Sequence, residues 1–362
     1  MPVIDRELLR RLPKAELHCH LDGSVRPATL LDLGREQGVA MPAPTEAALR
    51  EYMIVRDARS LEDYLARFDV TLSVMQTAAA LERIAYELAA DAASEGVRYI
   101  EVRYAPVLNI RGGLALGEAV EAPLRGLARA ERAHGIVGKL IVCGIRNMSP
   151  EVSLELAKLA VAYRRHGVVG FDLAGGEAGN PASRHLKAFE FARCHDMACT
   201  CHAGEGDGAA SIRDAVHVCG ANRIGHATRL IEDEALTEYV NDRRIALEIC
   251  LTSNVQTRAT DSYETHPLRQ YYERGLNVVL NTDNRLMSGT TLVDEYEHAA
   301  RELDFTLDEL CAVALNGFES AFLPYEERRA MVAAARADID ALRDPLAAAA
   351  APDAMSAQRR GR

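Results

Sequence analysis

Eight short, nearly continuous apolar runs, each followed by residues with helical spacing, constrain this chain more than any other feature. They are AELHCH (15–20), VRYIEVRYA (97–105), GKLIVCGI (138–145), VVGFDLAG (168–175), ACTCHAG (198–204), RIGHA (223–227), ALEICLTSN (246–254) and LNVVLNTDN (276–284). Strands covered by helices on both faces read this way, because neither face meets water. Between the runs lie stretches such as LERIAYELAADAASEG, where apolar residues return at three and four and a glycine closes the end. Eight βα units predict a closed (β/α)8 TIM barrel in preference to an open doubly wound sheet. A chain of 362 residues is long enough for one such domain.

About 75 residues separate the first two runs, more than one crossover helix needs, so a helical insertion over about 45–95 is predicted, lying over one barrel end as a lid. Residues from about 290 to 343 read as additional C-terminal helices. The expectation is one domain over 1–343, followed by a disordered, low-complexity tail at 344–362.

Composition removes several function classes. Lys and Arg number 42 against 53 Asp and Glu, a net charge of −11, and no basic patch lies outside the tail, so a nucleic-acid partner is not expected. No window holds the roughly 18 consecutive apolar residues that a membrane span needs, and the first residues lack the apolar core of a signal peptide. A cytoplasmic protein with no membrane partner is expected. The eight cysteines form no C-x2-C pair and several sit inside apolar runs, which predicts buried free thiols.

In a barrel of this kind, chemistry gathers where strands end at the C-terminal face. Strand 1 ends in His18-Cys19-His20, strand 4 in Asp172 and Gly175, strand 5 in His202 to Glu205, strand 6 in His226 and strand 8 in Asp283-Asn284. Residues two apart on a strand share a face, so His18 and His20 point at one space while Cys19 points away. Alone, such a pair is weak evidence for a metal. With His202 and Asp283 ending other strands of the same barrel, three imidazoles and a carboxylate around an open position suit one zinc ion acting as a Lewis acid on water, with iron, cobalt or manganese as alternatives. Strand 4 offers no lysine for a carbamylated bridge, which favours a mononuclear site.

Glu205, three residues past His202, falls in the loop beside the metal, where a proton shuttle would sit. Its plainer reading is a carboxylate near a helix N-terminus. His226 either orients the water or takes its proton, unless it is a hydrogen-bonded core histidine. Asp22 either caps the turn before Pro27 or grips a substrate hydroxyl. In the insertion, Tyr64, Leu65 and Phe68 make an apolar stripe that is either core or substrate cover. The reading of these histidines as mere core filling conflicts with the preference of barrel layers for Val, Ile and Leu.

The segments PKAELHCHLDGS (13–24), SLEDYLARF (60–68), EGVRYIEVRYAP (95–106), GFDLAGGE (170–177), HAGEGDG (202–208), RIGHATRL (223–230), EICLTSNVQT (248–257) and NTDNRLMSGT (281–290) together resemble the adenosine deaminases of the metal-dependent amidohydrolase superfamily. They run in the family's order over roughly 8–340. The resemblance implies zinc held by His18, His20, His202 and Asp283, with Asp283 also catalytic and His20 also near substrate. It implies that Glu205 protonates purine N1, His226 assists the water, Asp22 contacts a ribose hydroxyl, Gly175 meets N3 through its backbone N–H and Asn284 bonds N7. The partner implied is a small purine nucleoside, adenosine or 2′-deoxyadenosine, converted to the inosine product and ammonia in purine salvage; monomer and homo-oligomer are both compatible.

Two positions depart from the family's pattern. Thr282-Asp283-Asn284 stands where many members have Thr-Asp-Asp, and an Asn amide donates to N7 without needing a proton of its own. Gly176 replaces a commonly polar residue. Related enzymes act on adenine, N6-methyl-AMP or aminodeoxyfutalosine; Asp22 disfavours a phosphate and has no task for a free base. Readings from other classes are a catalytically inactive metal-binding protein and a single-metal hydrolase of esters or amides.

Overall fold

The computed structural model describes residues 4–55 and 67–343. Eight strands pair in parallel, in chain order, from β1 (Lys14–His20) through β2 (Val97–Tyr104), β3 (Val137–Ile145), β4 (Val168–Ala174), β5 (Ala198–Ala203), β6 (Arg223–His226) and β7 (Ala246–Ile249) to β8 (Val278–Leu280). The result is a nearly closed (β/α)8 TIM barrel with additional C-terminal helices. All eight cysteines are free; seven are buried and Cys194 is exposed.

The seam between β1 and β8 closes largely through side chain and loop. Asn281 Oδ1 accepts the backbone N–H of Leu17 at 2.7 Å and of His18 at 3.1 Å, standing in for a ladder carbonyl. Beyond β8, His20 N–H donates to Asp283 O at 2.7 Å and Asp283 N–H to His18 O at 3.0 Å. The closure therefore carries Asp283 directly against the two histidines of β1.

Two strands stop earlier than expected. β7 ends at Ile249, and 251–256 turns into a short helix (Leu251–Gln256) whose Thr252 N–H donates to the buried Glu295 carboxylate at 3.2 Å. β8 ends at Leu280 rather than 284, and Asp283 adopts φ +60. Past β7 the chain satisfies its own polar groups by turning into the helix Leu251–Gln256; past β8 it stays paired with β1 as far as Asp283, whose positive φ then turns it away.

The expected insertion is helical, with different limits. Helices Pro27–Gln37, Glu46–Met53 and Phe68–Val74 lie between β1 and the helix Ala78–Ser94. That last helix leads straight into β2 and packs on Leu116–His134, so it is the barrel's own crossover helix. Gly126 permits this packing, because a Cβ there would strike the backbone of Glu82 and Tyr86. Tyr64, Leu65 and the tail at 344–362 lie outside the described residues.

Aliphatic layers do not fill the whole barrel interior. Arg103, Arg223, Glu101, Glu248 and Asp172 are all at most 2% exposed. Arg103 binds Asp172 at 3.2 Å and Glu248 at 2.9 Å; Arg223 binds Glu248 at 2.6 Å and also Glu101. The preference for Val, Ile and Leu fails here because every charge has an opposite partner inside the barrel.

Candidate active site

At the C-terminal face of the barrel, a cavity of about 230 Å³ is walled by His20, Asp22, Phe68, Gly175, His202, Glu205, His226, Asp283 and Asn284, among others. His18 lies below, fully buried. The backbone pays a conformational cost here: His226, Ala227 and Asp283 have φ of +65, +54 and +60, a region that L side chains occupy at a cost of roughly 1–2 kcal/mol each. Gly225 makes room for His18, since a Cβ there would come within 2.9 Å of the His18 ring.

One ligand atom from each of His18, His202, His226 and Asp283 lies within 4.8 Å of the others. His20 adjoins the group, its Nε2 3.1 Å from His202 Nε2 and 3.4 Å from Asp283 Oδ1. Behind the rings stand carboxylates. His18 Nδ1 faces Glu248 Oε2 at 2.9 Å, and His202 Nδ1 faces both oxygens of Asp172, at 3.2 and 3.1 Å. A carboxylate can only accept, so both rings carry a proton on Nδ1, and in the neutral form each turns a bare Nε2 inward.

His18 Nε2 has no hydrogen-bond partner and sits 3.3 Å from Asp283 Oδ1. Ser253 Oγ donates to the other oxygen, Oδ2, at 2.7 Å, leaving Oδ1 turned to the site. With the His18 ring neutral, these electron-rich atoms face one another and fit a bound cation. Glu248 and Asp172 are paired with Arg103 and Arg223, whereas Asp283 faces only imidazoles and Ser253 Oγ. Burial by itself would raise Glu248 and Asp172. The opposing charges, Arg103 and Arg223 on Glu248 and His202 and Arg103 on Asp172, hold both carboxyls well below the usual range.

Glu205 is positioned through its backbone. Glu177 is buried, and its carboxylate accepts three successive N–H groups, from Gly204 at 2.7 Å, Glu205 at 3.0 Å and Gly206 at 2.7 Å. Glu205 Oε2 then lies 3.4 Å from His226 Nε2. Across the cavity, Asp22 Oδ1 is buried without a hydrogen-bond partner, as a polar atom that meets a ligand would be. Burial raises the Asp22 carboxyl to about 7. A Cβ on Gly23 would fall on the Asn284 side chain, so this glycine sets where Asn284 sits.

The matching family model is that of adenosine deaminase, over residues 13–337. The chain belongs to the adenosine deaminase family. It is 44% identical over 342 residues to adenosine deaminase 1 of Streptomyces coelicolor, covering 90% of this chain and 86% of that one. Among solved structures, it superposes on a zinc-bound amidohydrolase from Burkholderia ambifaria with TM-score 0.86 and 27% identity, covering 96% of each chain. It superposes on adenine deaminase from Arthrobacter aurescens with TM-score 0.84 and 28% identity, covering 91% of this chain and 99% of that one. Like others of its family, the chain is an enzyme of the hydrolase class.

Within this family site, the cavity brings His20, His202, Glu205, His226, Asp283, Asp22, Gly175, Asn284 and Phe68 together, with His18 beneath them. Sequence reasoning assigned no role to Glu248, Arg103, Arg223, Glu177, Ser253, Asn254 or His266. A signal existed for Glu248 and Arg103: a charge inside an apolar strand run, as in ALEIC or YIEVRYA, marks a buried ion pair. Nothing local marks the other five.

Proposed function

We propose that the protein removes the 6-amino group of adenosine and 2′-deoxyadenosine by hydrolysis, releasing ammonia and the inosine product, in purine salvage. The observation that carries this reading is the convergence of bare imidazole nitrogens and a carboxylate on one cavity, beside a carboxyl group at 3.4 Å from His226. Relatives above 40% identity named adenosine deaminase support the substrate. Among the described residues lining the cavity there is no lysine or arginine, while Asp22 and Asp69 are present, which favours an uncharged nucleoside over a nucleotide.

In this reading one zinc ion per chain, held by His18, His20, His202 and Asp283, supplies the Lewis acidity that brings a water molecule's pKa toward neutrality. Zinc is favoured by the nitrogen-rich ligand set and by the zinc-bound relative. Glu205, its backbone clamped by Glu177, delivers a proton to purine N1, which breaks the ring's aromaticity and opens C6 to attack. His226 faces the attacking oxygen and Asp283 accepts from it. The Gly175 N–H meets N3, the Asn284 amide donates to N7, and Asp22 binds a ribose hydroxyl. Phe68 covers the base, and the helices Glu46–Met53 and Phe68–Val74 act as a lid on a single domain over 1–343.

Among the described residues no helix is long and apolar enough to cross a membrane. Eight free cysteines suit a reducing compartment, and we place the protein in the cytoplasm. The test is ammonia release from adenosine by metal-loaded protein, with adenine, AMP, N6-methyl-AMP and aminodeoxyfutalosine in parallel. Turnover of adenosine abolished by His18→Ala is expected. Ammonia from another of these compounds but not adenosine would move the substrate assignment, and near-normal turnover by Glu205→Gln would remove the N1 proton donor.

A further inference from the structure

We propose that Asn254 and His266 lock His226 as the Nε2–H tautomer, so that His226 donates a hydrogen bond to the attacking oxygen and is neither a metal ligand nor a base. The inference rests on the reading above and chooses between the two roles open to His226. It starts from a backbone group whose role is unambiguous. The N–H of Leu268 can only donate, and it lies 3.0 Å from His266 Nδ1. That nitrogen is therefore bare. Burial holds His266 neutral, its pKa lowered to about 3, so its single proton sits on Nε2.

His266 Nε2 is 3.2 Å from Asn254, and the atom that receives its proton is Oδ1. The amide can then turn in only one way, presenting Nδ2 to His226 Nδ1 at 2.9 Å. An amide nitrogen donates and does not accept, so His226 Nδ1 is the acceptor and its proton is on Nε2. Nε2 is the nitrogen that faces Glu205 and the cavity. His226, Asn254 and His266 are at most 2% exposed, so no solvent is available to replace these partners.

The same logic gives the opposite answer for His18 and His202. Carboxylates behind them draw the proton to Nδ1 and leave Nε2 bare. Four converging side chains are thus sorted by what lies behind them: His18, His202 and Asp283 present lone pairs, and His226 presents a proton. Asn254 and His266 are positioning residues that act through His226 without touching substrate.

Neutron diffraction from zinc-loaded wild-type crystals in D2O tests the relay directly. Deuterium is expected on Nε2 of His226 and of His266, and on Nδ1 of His18 and His202; deuterium on His226 Nδ1 overturns the proposal. Asn254→Asp replaces the donor with an acceptor and should move the His226 proton to Nδ1. Its kcat is expected to fall by on the order of 100-fold, the usual loss of one oxyanion donor, with KM and metal content little changed. Wild-type kcat in that variant also overturns the proposal. His266→Leu should lose activity that His266→Gln, which keeps a donor toward Asn254 Oδ1, recovers. Should Asn254→Asp fail to fold, the wild-type deuterium positions decide alone. Absence of ammonia from adenosine would refute the function reading, while the deuterium positions still judge the tautomer.

Discussion

Replacing Glu248 with Gln isolates the contribution of the barrel's inner charge network. The carboxylate is fully buried and accepts from four groups: His18 Nδ1 at 2.9 Å, Arg103 at 2.9 Å, Arg223 at 2.6 Å and Thr200 Oγ1 at 3.1 Å. Gln keeps the shape and one acceptor oxygen, but either orientation turns an NH2 against two of these donors. Breaking a buried ion pair from one side costs about 3–5 kcal/mol. With roughly 2 cal/mol/K of unfolding entropy per residue, a domain of this length loses about 1.3–1.5 °C per kcal/mol, so Tm should fall by about 4–7 °C. His18 also loses the carboxylate that holds its proton on Nδ1, and metal affinity should weaken by about 10–100-fold.

Calorimetry at matched scan rate reads the first effect and chelator competition the second. Glu82→Gln is the control, because Glu82 pairs with Arg125 and Arg129 at the surface, where an ion pair contributes at most about 1 kcal/mol. A Glu248→Gln protein that melts within about 1 °C of wild type and binds metal with unchanged affinity would refute the argument that this carboxylate organises the site.

Two further predictions follow from the same geometry. Glu177→Ala strands the buried N–H groups of Gly204 and Glu205, releases that of Gly206 and frees Glu205 to move; kcat should fall at least about tenfold while metal content stays at wild-type level, and steady-state kinetics with metal analysis would show it. Acid should unfold the protein through Glu248 and Asp172. Their folded pKa values are depressed, so the stabilisation is present above the unfolded values of about 4 and is lost as pH falls through and below them. A urea midpoint that is flat between pH 6 and 3 would contradict this.

The succession of apolar runs and helical spacings was sufficient to read eight parallel strands, their order and the C-terminal helices, because burial on both faces leaves a local mark on every strand. The H-x-H pair and the residues at strand ends likewise marked the imidazoles and carboxylates of the cavity from His20 to Asp283, since the barrel gathers all eight strand ends at one face. Strand length was not local: 251–256 closed its own hydrogen bonds as a helix, whereas 281–283 left β8 for the pairing of Asp283 with β1.

The partners of buried polar groups were not local either. Glu248 meets His18 across 230 positions and Asn254 meets His226 across 28, and no periodicity records such a pairing. Residue type alone supplied a list of imidazoles and carboxylates. Which imidazole turns a lone pair to the cavity and which turns a proton is decided by the acceptor or donor behind each ring, and only the closed barrel brings those groups within 3.2 Å.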